Sequence, residues 1–311
     1  MAKKRFLMKA TSNHDKTCSH DSDLQRVTQP VSLSVTTDEA IASFVQAMNQ
    51  KCTLLGLTNT RFTNAHGLAT SGQSTTAADL SKLFLQVCGI SEILRVWGAK
   101  SYTVGIGGPH QRSVKVVTTV KNPQLEKEFV ILGGKSGTLV PDIYSAAVLL
   151  EDQDNQIFAV IVLQSNSTTQ RYLDAALLVK AAKKRQLDPN YQLPVELQAI
   201  AGEVVQITNQ PLFWTHQVPK KMLSLNEKQK IRPASLTKLM TVLLLTEHVS
   251  NLHERFTIQE TDLVGGSGPR LWPGDTMSYW DALYLMMLPS ANNVAQAISR
   301  VIGEKIQLYG T

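Results

Sequence analysis

The sequence predicts an α+β domain, an antiparallel sheet flanked by helices. Two observations carry that expectation. Short apolar runs joined by hairpin-type turns fill the middle of the chain, and stretches of helical periodicity precede and follow them. At 311 residues there is ample apolar material for one large domain or two small ones.

Residues 1–35 are polar and aperiodic and read as a mobile tail. Thr36 stands three before Glu39, ahead of an apolar stripe at Ile41, Phe44, Val45, Met48, Cys52 and Leu55, which is a capped amphipathic helix. A loop over 58–74 carries Asn64, His66 and Gly67. Thr76 and Asp79 then open a second helix through Leu80, Leu83 and Phe84. Strand-like runs follow at 113–119, 128–132, 145–150 and 157–163, the last two joined by the turn Asp152-Gln153-Asp154-Asn155. A helix over about 168–185 packs through Tyr172, Ala175, Leu178 and Val179. Residues 184–194 read as a surface connection, 197–207 and 212–218 as strands. Three helices close the chain: one opening at Ser235, one over 278–288 and one over 291–302. The expected organisation is the tail followed by a single domain over 36–311, made of two halves, 36–190 and 191–311.

Composition narrows the function classes. The chain is 43% hydrophobic and 18% charged, an ordinary globular balance. No apolar run approaches the roughly 18 to 20 residues of a membrane span. Residues 1–9 are basic, but 10–25 are polar where the apolar core of an export signal would stand, so none is expected. Cys18, Cys52 and Cys88 form no C-x-x-C pair, which removes disulfide-scaffold and zinc-ribbon readings. His14, Cys18 and His20 lack a fourth partner, so no metal site is expected. The net charge of +6 is scattered, without a basic helix interleaved with aromatics, and no nucleic-acid partner is expected.

Three motifs can carry chemistry. Ser235-Leu236-Thr237-Lys238 follows Pro233 at a helix start and runs into Leu239, Met240, Val242 and Leu243. Three residues apart on a helix, Ser235 and Lys238 share a face. A helix apolar nearly all round is buried, and burial favours the neutral amine that could act as a base for the serine. The alternative is a plain helix cap with Lys238 reaching solvent. Ser290-Ala291-Asn292, after Pro289, could aim a hydroxyl and an amide into a cleft, or could simply cap a helix. Gly133-Gly134-Lys135-Ser136-Gly137-Thr138 places a lysine and hydroxyls where backbone or ligand can approach closely. It is not a phosphate loop, because G-x-x-x-x-G-K-[ST] is absent.

Each motif alone is weak. Together they are the S-x-x-K, S-x-N and K-[ST]-G set of penicillin-binding proteins and serine β-lactamases. The segment 233–241 resembles the nucleophile segment of the D-alanyl-D-alanine carboxypeptidases, the low-molecular-mass penicillin-binding serine peptidases. Trp272-Pro273-Gly274-Asp275 leading to 288–293 is similar to their second motif. Phe62-Thr63-Asn64-Ala65-His66-Gly67-Leu68 is similar to their F-x-N-x-H-G-L loop, and Gly134-Lys135-Ser136-Gly137-Thr138 to their third motif, with Ser136 where Thr is usual. The resemblance spans about 36–302. One departure stands out: the H-G-L loop and Lys135 come first, while Ser235 and Ser290 come last. The motif order is that of a circular permutant, or of a slice through a tandem array.

The resemblance implies a β-lactamase/transpeptidase-like fold and acyl-enzyme hydrolysis of peptides ending in D-Ala-D-Ala. It assigns Ser235 as nucleophile, Lys238 as its base and Ser290 as proton relay. Asn292 would orient Lys238 and the substrate amide, with Lys135, Ser136 and Thr138 holding the terminal carboxylate. No metal or cofactor is implied. A serine β-lactamase and a non-catalytic muropeptide- or penicillin-binding module are the alternatives. The expected partner is a peptidoglycan stem peptide or a β-lactam, and a monomer is expected unless halves exchange between two chains. Members of the family usually work outside the cytoplasmic membrane.

Overall fold

The computed structural model describes residues 35–207 and 219–309, and Val35–Thr311 form one unit. The expected tail, but for Val35, the trio His14, Cys18 and His20, and the strand expected over 212–218 lie outside the described residues.

In chain order the elements are α1 (Thr37–Leu54), α2 (Ala77–Cys88), α3 (Ser91–Trp97), β1 (Ser101–Ile106), β2 (Arg112–Val117), β3 (Val130–Leu139), β4 (Ile143–Glu151), β5 (Ile157–Ser165) and α4 (Gln170–Leu187). The second half adds β6 (Ala201–Ile207), β7 (Lys220–Leu225), α5 (Lys238–His248), β8 (Arg255–Thr257), β9 (Thr276–Ser278), α6 (Tyr279–Met287) and α7 (Asn292–Tyr309). The caps behave as expected. Thr36 accepts from the Glu39 amide while Glu39 Oε2 accepts from the Thr36 amide at 2.9 Å, and Thr76 caps α2 through the Asp79 amide.

The main sheet is antiparallel, in the order β3-β4-β5-β6-β7. Strand alternation explains why β4 and β5 are almost wholly apolar. Ala146, Val148, Leu150, Phe158, Val160 and Val162 face α4, while Ala147, Leu149, Ala159, Ile161 and Leu163 face the larger helical core of α1, α2, α5, α6 and α7. A sheet covered on both faces needs apolar residues on both. The strand of the second half, β6, pairs with β5 of the first. Helices α1 and α7 also meet across the halves. A Cβ on Gly303 would lie 1.8 Å from Ala40 O, and Gln307 donates to Glu39 O and Ser43 Oγ.

Several elements differ from expectation. Helix α3 and strands β1 and β7 carry no clean periodicity and are additions. β6 begins at Ala201 rather than 197. β3 is longer than the run 128–132 and carries the whole glycine-lysine motif. Its glycines admit neighbouring protein rather than ligand: a Cβ on Gly133 would strike Trp97 Cβ at 2.4 Å, and one on Gly134 would strike Ala147 O at 2.3 Å.

Candidate active site

The nucleophile segment does not open as an α-helix. Ala234–Thr237 form a 3₁₀ turn and α5 begins at Lys238. Ala234 sits at φ +50° and Ser290 at φ +66°, left-handed conformations that cost non-glycine residues about 1–3 kcal/mol and gather at functional sites. Two glycines hold the turn. Gly67 backs onto it so closely that a Cβ there would lie 2.0 Å from Ala234 O, and a Cβ on Gly137 of β3 would lie 3.0 Å from Pro233 O. The H-G-L loop and β3 therefore clamp Ser235 from two directions.

Lys238 is fully buried. That removes the alternative in which it reaches solvent. Its Nζ lies 2.7 Å from Asn292 Oδ1, 2.7 Å from His66 O and 3.1 Å from Ser235 Oγ. Two of these neighbours can only accept, and the third is a hydroxyl. That set matches a neutral amine, with two N–H groups donated and a lone pair left toward Ser235. Burial, then the charge of Lys135, drives the Lys238 ammonium well below its usual range.

Lys135 is also fully buried and donates to Ser290 Oγ at 2.9 Å and to Ser136 O at 2.7 Å. Burial, then the nearby Arg171, lowers its pKa to about 7. Ser136 Oγ is 2.8 Å from Thr119 Oγ1, and Thr138 Oγ1 accepts from Arg171 at 2.9 Å. Asn292 spends its Nδ2 on Gly265 O at 3.1 Å, so its rotamer is fixed from the loop side. A Cβ on Gly266 would collide with that amide at 2.2 Å. Ser290 and Asn292 thus bond to Lys135 and Lys238 respectively. They do not serve as helix caps.

The seven expected residues fall into two neighbouring sets: Ser235, Lys238 and Asn292 join in one hydrogen-bonded group, Ser290 and Lys135 in a second, and Ser136 and Thr138 follow Lys135 on β3. His66 contributes its carbonyl, not its ring. The ring accepts the Leu68 amide at Nδ1, and burial followed by the Lys238 charge lowers its pKa to about 4. Sequence reasoning missed Arg171, Thr119 and the Gly265 carbonyl. Arg171 alone left a signal, a charge on the first turn of a helix whose neighbouring positions Tyr172, Asp174 and Ala175 are buried.

Two family models match the chain. Residues 31–131 match D-alanyl-D-alanine carboxypeptidase, and residues 195–309 match the beta-lactamase enzyme family. The first match includes the H-G-L loop and stops before Lys135, while the second contains Ser235, Lys238, Ser290 and Asn292. The two matches together support the family of penicillin-binding serine hydrolases to which D-alanyl-D-alanine carboxypeptidases and β-lactamase-like enzymes belong. No curated protein and no solved structure matches this hydrolase. Its antiparallel sheet between helical layers is consistent with the β-lactamase/transpeptidase-like fold, and peptidoglycan peptides and β-lactams are the ligands of the family that the two models support. No helix among the described residues is long and apolar enough to cross a membrane.

Proposed function

We propose that this hydrolase is a serine D-Ala-D-Ala carboxypeptidase, working through an acyl-enzyme. The observation that carries the proposal is the hydrogen-bonded Ser235-Lys238 pair, with the fully buried Lys238 held by two acceptors and its pKa lowered by burial and by the charge of Lys135. Neutral Lys238 takes the Ser235 proton as Oγ attacks the penultimate D-Ala carbonyl. Backbone N–H groups of Ser235 and Thr138 hold the oxyanion, each such donor contributing about 3 to 4 kcal/mol in comparable sites. When the C–N bond breaks, the proton held by Lys238 passes through the Ser290 hydroxyl to the departing D-Ala amine, which restores neutral Lys238 and leaves Ser290 protonated. Lys135, with the hydroxyls of Ser136 and Thr138, binds the terminal carboxylate. Water then attacks the ester with Lys238 again as base, returning the proton to Ser235.

We also propose that Val35–Thr311 work as one permuted domain. The β5–β6 pairing and the α1–α7 packing support it, because each half covers apolar surface of the other. A β-lactamase differs in how fast the acyl-enzyme hydrolyses, and a binding module in failing to turn over. Release of D-Ala from diacetyl-Lys-D-Ala-D-Ala, beside hydrolysis of a chromogenic cephalosporin, separates the three. Peptide turnover with a long-lived penicillin ester is the expected result. Fast cephalosporin turnover without peptide cleavage would overturn it in favour of the β-lactamase, and an ester that forms without either turnover would leave the binding module.

A further inference from the structure

A second cavity lies away from Ser235, at the beginning of β3. It encloses about 470 Å³ between the end of α3, the end of β2 and residues 126–134, a volume in the range of small-molecule sites. Its walls are apolar. Trp97, Val120 and Phe129 are buried there, and Val117 and Val130 are 50% and 58% exposed, two of the few large apolar side chains this protein leaves open. Isolated exposed apolar residues need no explanation, but a pair lining one concavity marks a binding surface.

Three further features are polar and point to the chemistry of an occupant. Trp97 belongs to this wall, and its indole Nε1 is buried with no hydrogen-bond partner. Lys100 and Lys121 are exposed and line the same cavity, and Glu126 is the one acid in the lining, with Oε1 accepting the Asn122 amide. The third feature is the strand itself. β3 is the edge of its sheet, bulged between Ile131 and Gly133, and among the described residues 130–134 make backbone hydrogen bonds only within the sheet. Apolar walls, two ammonium groups and an open strand edge call for an apolar body ending in an anion.

We propose that the cavity at the start of β3 is a binding site for an amphipathic carboxylate, an apolar chain or side chain seated among Trp97, Val117, Phe129 and Val130, with its carboxylate toward Lys100 and Lys121. The same chemistry comes from a fatty-acid-like acyl chain or from an apolar peptide C-terminus. A peptide would also use the strand edge. The site abuts the catalytic strand, since Trp97 rests on Gly133, two residues before Lys135.

Calorimetric titration of the full chain with octanoate, with N-acetyl-Leu-Leu, and with N-acetyl-Leu-Leu amide tests this without reference to turnover. Saturable binding of either carboxylate supports the site, and the tighter of the two assigns the source. The uncharged amide should bind about tenfold more weakly than its acid. Val130→Asp, at an exposed position outside the catalytic cleft, should weaken carboxylate binding about tenfold while penicillin acylation is unchanged. Lys100→Glu should weaken the acid but not the amide. No heat or chemical-shift change at 10 mM carboxylate, equal binding of acid and amide, or indifference to both substitutions would overturn the proposal, whatever the enzyme does with D-Ala-D-Ala peptides.

Discussion

Replacing Lys238 by Arg separates its role as a base from its role as a buried donor. The guanidinium keeps donors for His66 O and Asn292 Oδ1 but stays charged at any working pH. It offers Ser235 no lone pair. Positioned general bases typically contribute about 10²–10⁴-fold, or about 3 to 5 kcal/mol of barrier. Acylation by a fluorescent penicillin at pH 7.5 should therefore slow by about 10²–10⁴-fold. A permanent charge beside Lys135 also costs stability, so circular dichroism and a melting curve must accompany the rates. Lys238→Met provides the contrast: it strands two buried acceptors, each worth about 1–3 kcal/mol of stability, and removes the base as well. Folded Lys238→Arg protein that acylates within tenfold of wild type would refute the assignment of Lys238 as base.

The remaining predictions concern pH, backbone and assembly. Lys135, whose pKa burial and Arg171 lower to about 7, can bind a carboxylate only when protonated, so kcat/KM should fall as pH rises through about 7. Lys238 must be neutral, so kcat/KM should also fall on the acid side, giving a bell. Lys135→Arg should abolish the alkaline limb near 7, and an unchanged limb would show that another group sets it. Gly67→Ala forces a Cβ against Ala234 O and a side chain into φ +88°. It should lower the melting temperature and slow acylation together, whereas loss of neither would mean the H-G-L loop does not support the nucleophile turn. Light scattering after size exclusion should give an active monomer of about 34 kDa, matching the 34.2 kDa chain. Activity confined to a dimer would replace the permuted domain by exchanged halves.

Local signals in the sequence reached far into this fold. The capping residues Thr36, Glu39 and Thr76, and the unbroken apolar runs of β4 and β5, are consequences of neighbours along the chain. What was hidden depends on partners distant in sequence. β7 reads Lys-Lys-Met-Leu-Ser-Leu, a half-exposed edge with no alternation to betray it. The strand through Gly133-Gly134-Lys135 looks like a loop until Trp97 and Ala147 are seen to fill the space a side chain would need. The start of α5 was displaced from Ser235 to Lys238 because Ala234 is turned left-handed against Gly67, a contact 167 positions away by numbering (67 to 234). Site residues in spaced motifs were legible as types. Thr119 and the carbonyls of His66 and Gly265 were not, and Arg171 showed only as a charge in the first turn of a helix, because their partners lie far away in sequence.

The central claim is that Ser235 is the nucleophile of a penicillin-binding hydrolase built from these two halves. Peptide mapping of the intact chain after exposure to penicillin tests it most directly. One penicilloyl group should appear, on the peptide containing Ser235, and Ser235→Ala should carry none. An adduct that maps elsewhere, on Ser290 for example, or that persists in Ser235→Ala, would contradict the account.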